Sequence, residues 1–238
     1  MFALTRIVLF QTAISIFFAT TFMRAQQIPS NYELLYEQDF EGDVNLNHFE
    51  ITDSSAWQIG KGNQGEALVL YGKSRYQPPV RSPLNIAYIK NMKFGSFILE
   101  ADVQQTGKEY GHRDLCLFFG LKDPSKFYYI HMATSADQNA HNIFLVNDAP
   151  RTNIASRTTE GVDWGTTERW HKIRLERNIE TGCIRVFIND MTTPVMEAKD
   201  MHYDFGYIGF GSFDDTGKFD NIKIWGSSYE PHSERFFY

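Results

Sequence analysis

The chain has 238 residues, 22% of them charged, with a formal net charge of −6 and 20 Phe, 12 Tyr and 4 Trp. That length suits one large domain or two small ones, and so much aromatic surface has to be buried, which excludes a disordered chain. The acidic balance argues against a nucleic-acid binder. A carboxylated or sulfated ligand would therefore need a local basic pocket.

The first 25 residues differ from the rest. Arg6 precedes an apolar run from Ile7 to Ala19, and small and polar residues lead to Met23-Arg24-Ala25. This order predicts a signal peptide over 1–25, cleaved after Ala25, and a secreted or periplasmic mature chain. An uncleaved anchor is the alternative, and the lack of a cysteine near the cut argues against a lipoprotein. Arg6 and Arg24 are the leader's only charges, so the mature chain carries 21 basic and 29 acidic residues. No later stretch approaches the roughly 20 apolar residues of a membrane-spanning helix.

Beyond the leader the helical period is almost absent. Short β-rich runs recur instead at 36–40, 57–59, 67–70, 86–89, 97–103, 115–121, 127–132, 143–147, 170–176, 184–189, 207–212 and 219–225, divided by Gly, Asn, Asp and Pro. A dozen strands without intervening helices predict an all-β fold, a two-sheet antiparallel β-sandwich formed as one domain over 26–238.

Alternation assigns the faces. Phe97, Leu99, Ala101 and Val103 point inward, as do Ile173 and Leu175, while Lys172, Arg174 and Glu176 face water. The run at 115–119 is apolar on both faces. In 127–132, Tyr128, Ile130 and Met132 form one face and Phe127, Tyr129 and His131 the other. Two cysteines, Cys116 and Cys183, lie in such runs; export permits a disulfide between them, and two buried thiols fit equally well.

Polar chemistry concentrates after residue 110. Tyr110, His112, Arg113 and Asp114 lead into the 115–121 run, and His131, His141, Asn147, Asp148 and Arg151 follow. Histidine is an acid or base near neutral pH, arginine offers a planar fork to carboxylate or sulfate, and Tyr110 and Tyr129 offer flat faces to sugar rings. A turn at 122–125 should set Asp114–Cys116 opposite Met132–Thr134 and gather these groups at one sheet end. The bland alternatives are a structural Arg113–Asp114 network, a backbone-bonding turn at Asp148 and a solvated loop at His141. Asp214-Asp215 reads as a hairpin turn.

Several segments are similar to the concanavalin A-like lectin/glucanase superfamily. Leu35-Tyr36-Glu37-Gln38-Asp39-Phe40-Glu41-Gly42 resembles its first strand. Trp170-His171-Lys172-Ile173-Arg174-Leu175, followed by 184–190, resembles a later strand pair. The closing 209–213 and 219–224 resemble the last strands of laminin-G-like and keto-disaccharide-hydrolase-like members. The resemblance implies a jelly roll whose concave sheet takes a polysaccharide or oligosaccharide. It also implies a structural Ca²⁺ at Asp39, Glu41 and Asp220. The paired acids of its glucanases have only a partial match in Glu100-Ala101-Asp102, where Gln104 replaces the next acid on that face.

Two functions follow as expectations. The first is a glycan hydrolase or lyase. Asp114 or Asp148 would serve as acid or base, with His112 or His131 as partner, and Tyr110, Arg113, Tyr129, His141, Asn147 and Arg151 would hold the sugar. The second is a non-catalytic, lectin-like binder. An adhesion module without a sugar site is a third.

Overall fold

A computed structural model describes residues 27–42 and 45–237. The leader expected over 1–25 lies outside them. Eighteen strands form in chain order. The first nine are β1 (Glu33–Gln38), β2 (Phe49–Ile51), β3 (Trp57–Lys61), β4 (Glu66–Leu70), β5 (Asn85–Ile89), β6 (Met92–Phe94), β7 (Phe97–Gln105), β8 (Asp114–Asp123) and β9 (Lys126–Ala133). The rest are β10 (Asn142–Asn147), β11 (Thr152–Asn153), β12 (Ala155–Thr158), β13 (Trp170–Arg177), β14 (Cys183–Ile188), β15 (Met196–Lys199), β16 (Tyr207–Ser212), β17 (Gly217–Gly226) and β18 (Tyr229–Pro231). Among the described residues there is no α-helix, and hence none that could cross a membrane.

Sheet A runs β12-β15-β14-β13-β7-β17-β4-β3, and sheet B runs β11-β10-β9-β8-β16-β5-β2. Strand β17 divides one edge, its 217–219 half on β4 and its 222–226 half on β1. All sheet partners are antiparallel, as a jelly roll requires.

The core lies between the sheets. Sheet A contributes Phe97, Leu99, Ala101, Val103, Ile173 and Leu175, and sheet B contributes Leu115, Leu117, Phe119, Tyr128, Ile130 and Met132, all without significant exposure. These are the inward faces that alternation predicted. On sheet A's outer face, Glu100 receives Arg174 at 2.9 Å through Nε and Asp102 receives Lys172 at 3.0 Å. The two acids sit in a ladder of ion pairs on the outer face, in which Lys172 is exposed but Arg174 and Glu176, expected to face water, are buried by their mutual pairing. Cys116 and Cys183 are free thiols on different sheets.

Sheet B is also covered on its outer face. Tyr88, Phe118, Phe127, Tyr129, Phe144 and Tyr207 form a second apolar cluster, closed by Phe237 with Tyr76, Val80 and Phe236 packed against it. The Tyr88 hydroxyl donates to the Glu234 carbonyl at 2.8 Å, fixing the closing segment to the sheet. What remains open on this face is its Asp114 end.

Candidate functional site

The β8–β9 hairpin builds the open end. Its register sets Asp114 opposite Ala133, Leu115 opposite Met132 and Cys116 opposite His131. With side chains alternating, Asp114 and Cys116 share the outer face with Tyr129 and His131. Strand β16 lies on the other side of β8, Gly211 against Cys116, and delivers Phe213, Asp214 and Asp215 to the same place. Asn85 approaches Gly211 from β5 so closely that a Cβ there would lie 1.9 Å from its carbonyl oxygen. Only glycine permits that spacing.

Asp114 is the buried centre. Its Oδ2 accepts the Phe213 N–H at 2.7 Å and the Cys116 S–H at 3.1 Å, and its own N–H donates to Asp215 Oδ2 at 3.0 Å. The same Asp215 oxygen accepts the Tyr110 hydroxyl at 2.7 Å. An oxygen from each of Asp114, Asp214 and Asp215 lies within 4.8 Å of the others. Burial raises the proton affinity of Asp114 well above the usual carboxylate range, and the Asp215 charge adds to it. Asp215 is raised too, chiefly by burial.

His131 Nε2 stands 3.6 Å from Asp114 Oδ2. Its Nδ1 accepts the His141 N–H at 3.3 Å, which assigns the ring hydrogen to Nε2. Burial, followed by the Arg151 charge, pushes its pKa down to about 3. The ring is thus a neutral donor towards Asp114, with no lone pair free to act as a base.

These groups line a cavity of about 220 Å³ together with Arg81, His112, Asn139, Arg151 and Phe213. The Arg151 guanidinium lies 4.4 Å from the centre of the Phe213 ring and 5.2 Å from that of Phe144, and donates to the Asn139 carbonyl at 3.0 Å. Arg81 lies 5.5 Å from the Phe213 ring centre. His112 Nε2 meets Asp137 at 2.6 Å on the rim. Tyr110, 45% exposed, separates this cavity from a wider neighbouring depression floored by Thr106, Gly107 and Thr216.

Of the residues expected at the site, Tyr110, His112, Asp114, His131 and Arg151 come together. The others do not line the cavity. Arg113 points the opposite way, donating to the Gly165 carbonyl at 3.3 Å, because it precedes Asp114 by one strand position. Tyr129 is fully buried beneath the second cluster. His141 backs His131 and meets Thr159 at 3.0 Å. Asn147 accepts from Tyr203, and Asp148 accepts from Ser125 and Lys126. Both sit at the far end of the β9–β10 pair, about 16 Å along the strand from His131.

Sequence reasoning missed Arg81, Asn139, Phe213 and Asp214. Arg81 follows the proline-rich 77–80 stretch, which has no periodicity to orient it. The hairpin expected at 214–215 is instead a crossover from β16 of sheet B to β17 of sheet A, and its Asp215 is nearly buried and bonds Asp114.

The expected calcium ligands stand beyond the other sheet. Asp220 is 1% exposed and accepts Asn221 N–H and Asn63 N–H, while Glu41 accepts Glu66 N–H. The Asp102 and Glu41 charges, after burial, raise the Asp220 pKa. Asp39 accepts the Glu41 N–H at 3.1 Å. Among the described residues these three do not form a group of acidic oxygens within 4.8 Å.

No protein family and no curated protein matches the sequence. Solved structures match its fold. A Bacillus subtilis protein of unknown function with a galectin-like fold has a TM-score of 0.54 at 13% identity, covering 86% of this chain and 100% of that one. A Parabacteroides distasonis protein described as a candidate glycosyl hydrolase has a TM-score of 0.51 at 14% identity, covering 79% and 98%. The shared architecture is a galectin-like jelly-roll sandwich, and at this identity the likeness is one of fold.

Proposed function

We propose that the chain binds a saccharide in the cavity at the Asp114 end of sheet B. The observation that carries this reading is the convergence of Phe213 and an exposed Tyr110 with Arg81, His112, Asn139 and Arg151 on one small, polar-rimmed space. A sugar presents an apolar C–H face to an aromatic ring and hydroxyls to directed polar groups, and this lining offers both. The candidate hydrolase among the structures of similar fold agrees with a carbohydrate ligand. The cavity is smaller than the roughly 300–1,000 Å³ of pockets for drug-sized ligands, so it suits one sugar unit. Export by the 1–25 leader belongs to the same proposal.

Calorimetric titration with a panel of neutral and acidic oligosaccharides tests it. Binding by the native chain that is lost in Phe213→Ala and Asn139→Ala is the expected result. A panel without a binder, or variants that bind as before, overturns it.

One observation favours hydrolysis as a second reading. Burial and the neighbouring Asp215 raise the proton affinity of Asp114, the direction a general acid needs. New reducing ends from a bound oligosaccharide, abolished in Asp114→Asn, would identify an enzyme. Binding without product identifies a binder.

For calcium, the proposal rests on Glu41 and Asp220. An ion between these carboxylates would relieve their repulsion and raise the melting temperature.

A further inference from the structure

We propose that the cavity selects a sugar unit bearing a carboxylate, a uronic acid, held by the forks of Arg81 and Arg151. This rests on the saccharide reading above and adds the class of sugar.

The two guanidinium groups are brought to one aromatic ring, 4.4 and 5.5 Å from the centre of Phe213. Their backbones are joined as well, the Arg151 N–H meeting the Arg81 carbonyl at 3.4 Å. Two like charges gathered at one ring favour an anion beside them. Among the described residues neither arginine forms an ion pair, although the chain carries 29 acidic side chains.

The acids nearest the cavity are already engaged. Asp214 meets Lys73 at 3.5 Å, Asp137 meets His112 at 2.6 Å, and Asp215 accepts the Tyr110 hydroxyl and the Asp114 N–H. Burial raises the proton affinity of Asp114 and lowers that of His131. The lining therefore holds two arginines that no acid among the described residues pairs with, in a protein of net charge −6.

Shape then narrows the anion. Stacking on Phe213 and Phe144 and the Arg151 bond to the Asn139 carbonyl fix the guanidinium plane. A planar fork held this way matches a planar carboxylate with two parallel N–H···O bonds. The space of about 220 Å³ admits one ring with its substituent. The ligand is thus a single acidic unit or the acidic end of a chain, while Tyr110 leads to the neighbouring depression, where a second unit would rest.

Titration calorimetry of the full chain with galacturonate, glucuronate, galactose, glucose, sulfated galactose and acetate tests this. The uronates should bind about tenfold or more tightly than their neutral counterparts, with affinity falling as salt is raised. Arg81 is exposed, so Arg81→Ala keeps the fold. It should cost the uronates about tenfold and neutral sugars several-fold less than that. Arg151→Lys, which keeps the charge and loses the fork, should weaken the uronates as well. Neutral sugars binding as tightly as uronates overturn the acidic selection and leave the saccharide reading standing. Acetate binding as tightly as the uronates makes this an anion site and overturns both. Sulfated galactose binding more tightly than the uronates overturns the carboxylate assignment alone. No binding by any of them overturns both readings.

Discussion

His131 and Asp114 face each other across β8 and β9 with 3.6 Å between Nε2 and Oδ2. Burial drives the pKa values of the two groups in opposite directions, Asp114 up and His131 down to about 3. Both shifts favour the uncharged form.

That preference has a pH signature. The folded pKa values of His131 and His141, about 3 and about 4, lie below the ordinary value of 6.5. The unfolded chain therefore binds more protons in this interval, and stability falls as pH drops below about 6.5. Each histidine contributes up to about 1.4 kcal/mol per pH unit, or about 3–5 °C in melting temperature. Asp114 and Asp215, whose proton affinities are raised, act in the opposite sense, so the native chain is compared with a variant: His131→Gln should lose less stability on acidification. An equal loss in that variant refutes the assignment.

Arg113 should matter for folding and not for the ligand. It is 4% exposed, its Nη2 donates to the Gly165 carbonyl and its own carbonyl accepts Trp164 Nε1 at 3.1 Å. Arg113→Ala should lower the melting temperature by about 5 °C or more through unpaired buried groups. Sugar affinity should stay within about twofold, since the side chain points away from the cavity.

Tyr110 separates two roles in one residue. Its hydroxyl holds Asp215, while its ring is exposed at the cavity wall. Tyr110→Phe should keep most of the affinity, whereas Tyr110→Ala should lose roughly 2–13-fold, the worth of one aromatic contact. Equal losses in the two variants would place the effect in the hydroxyl.

Asp148 provides a control. Its φ of 52° and its bonds to Ser125 and Lys126 mark it as a turn residue far from His131. Asp148→Ala should leave ligand titration unchanged.

Calcium is read by melting temperature after chelation and readdition. Coupling through Glu41 and Asp220 predicts a rise of several degrees at saturating Ca²⁺, reversed in Asp220→Asn. An unchanged melting point removes the ion.

The sandwich was legible because period-2 alternation reports burial directly: Tyr128, Ile130 and Met132 point into the core as their spacing requires. The turn at 122–125 marked the hairpin, but its register is one residue away from the expected one: Asp114 lies opposite Ala133 instead of Thr134, beyond the shift between Phe119 and Asp123. Short strands such as β6, β11 and β18 escaped notice because two or three residues carry no period. The site was half visible. Residues on β8 and β9 could be oriented, but Arg81, Asn139 and Phe213 arrive from irregular segments whose direction is set by tertiary contacts. Tyr129 had the right face and the wrong exposure. What alternation cannot report is that Tyr76, Phe236 and Phe237 return to cover that face.

This second covering makes sheet B an interior layer. Strands β8, β9 and β16 have apolar packing above and below, so their amide hydrogens should exchange with solvent slowest, through global opening. Asp114 and His131 are therefore mounted on the stiffest part of the molecule. A ligand arriving there meets a preorganised surface and forfeits little conformational entropy in ordering it.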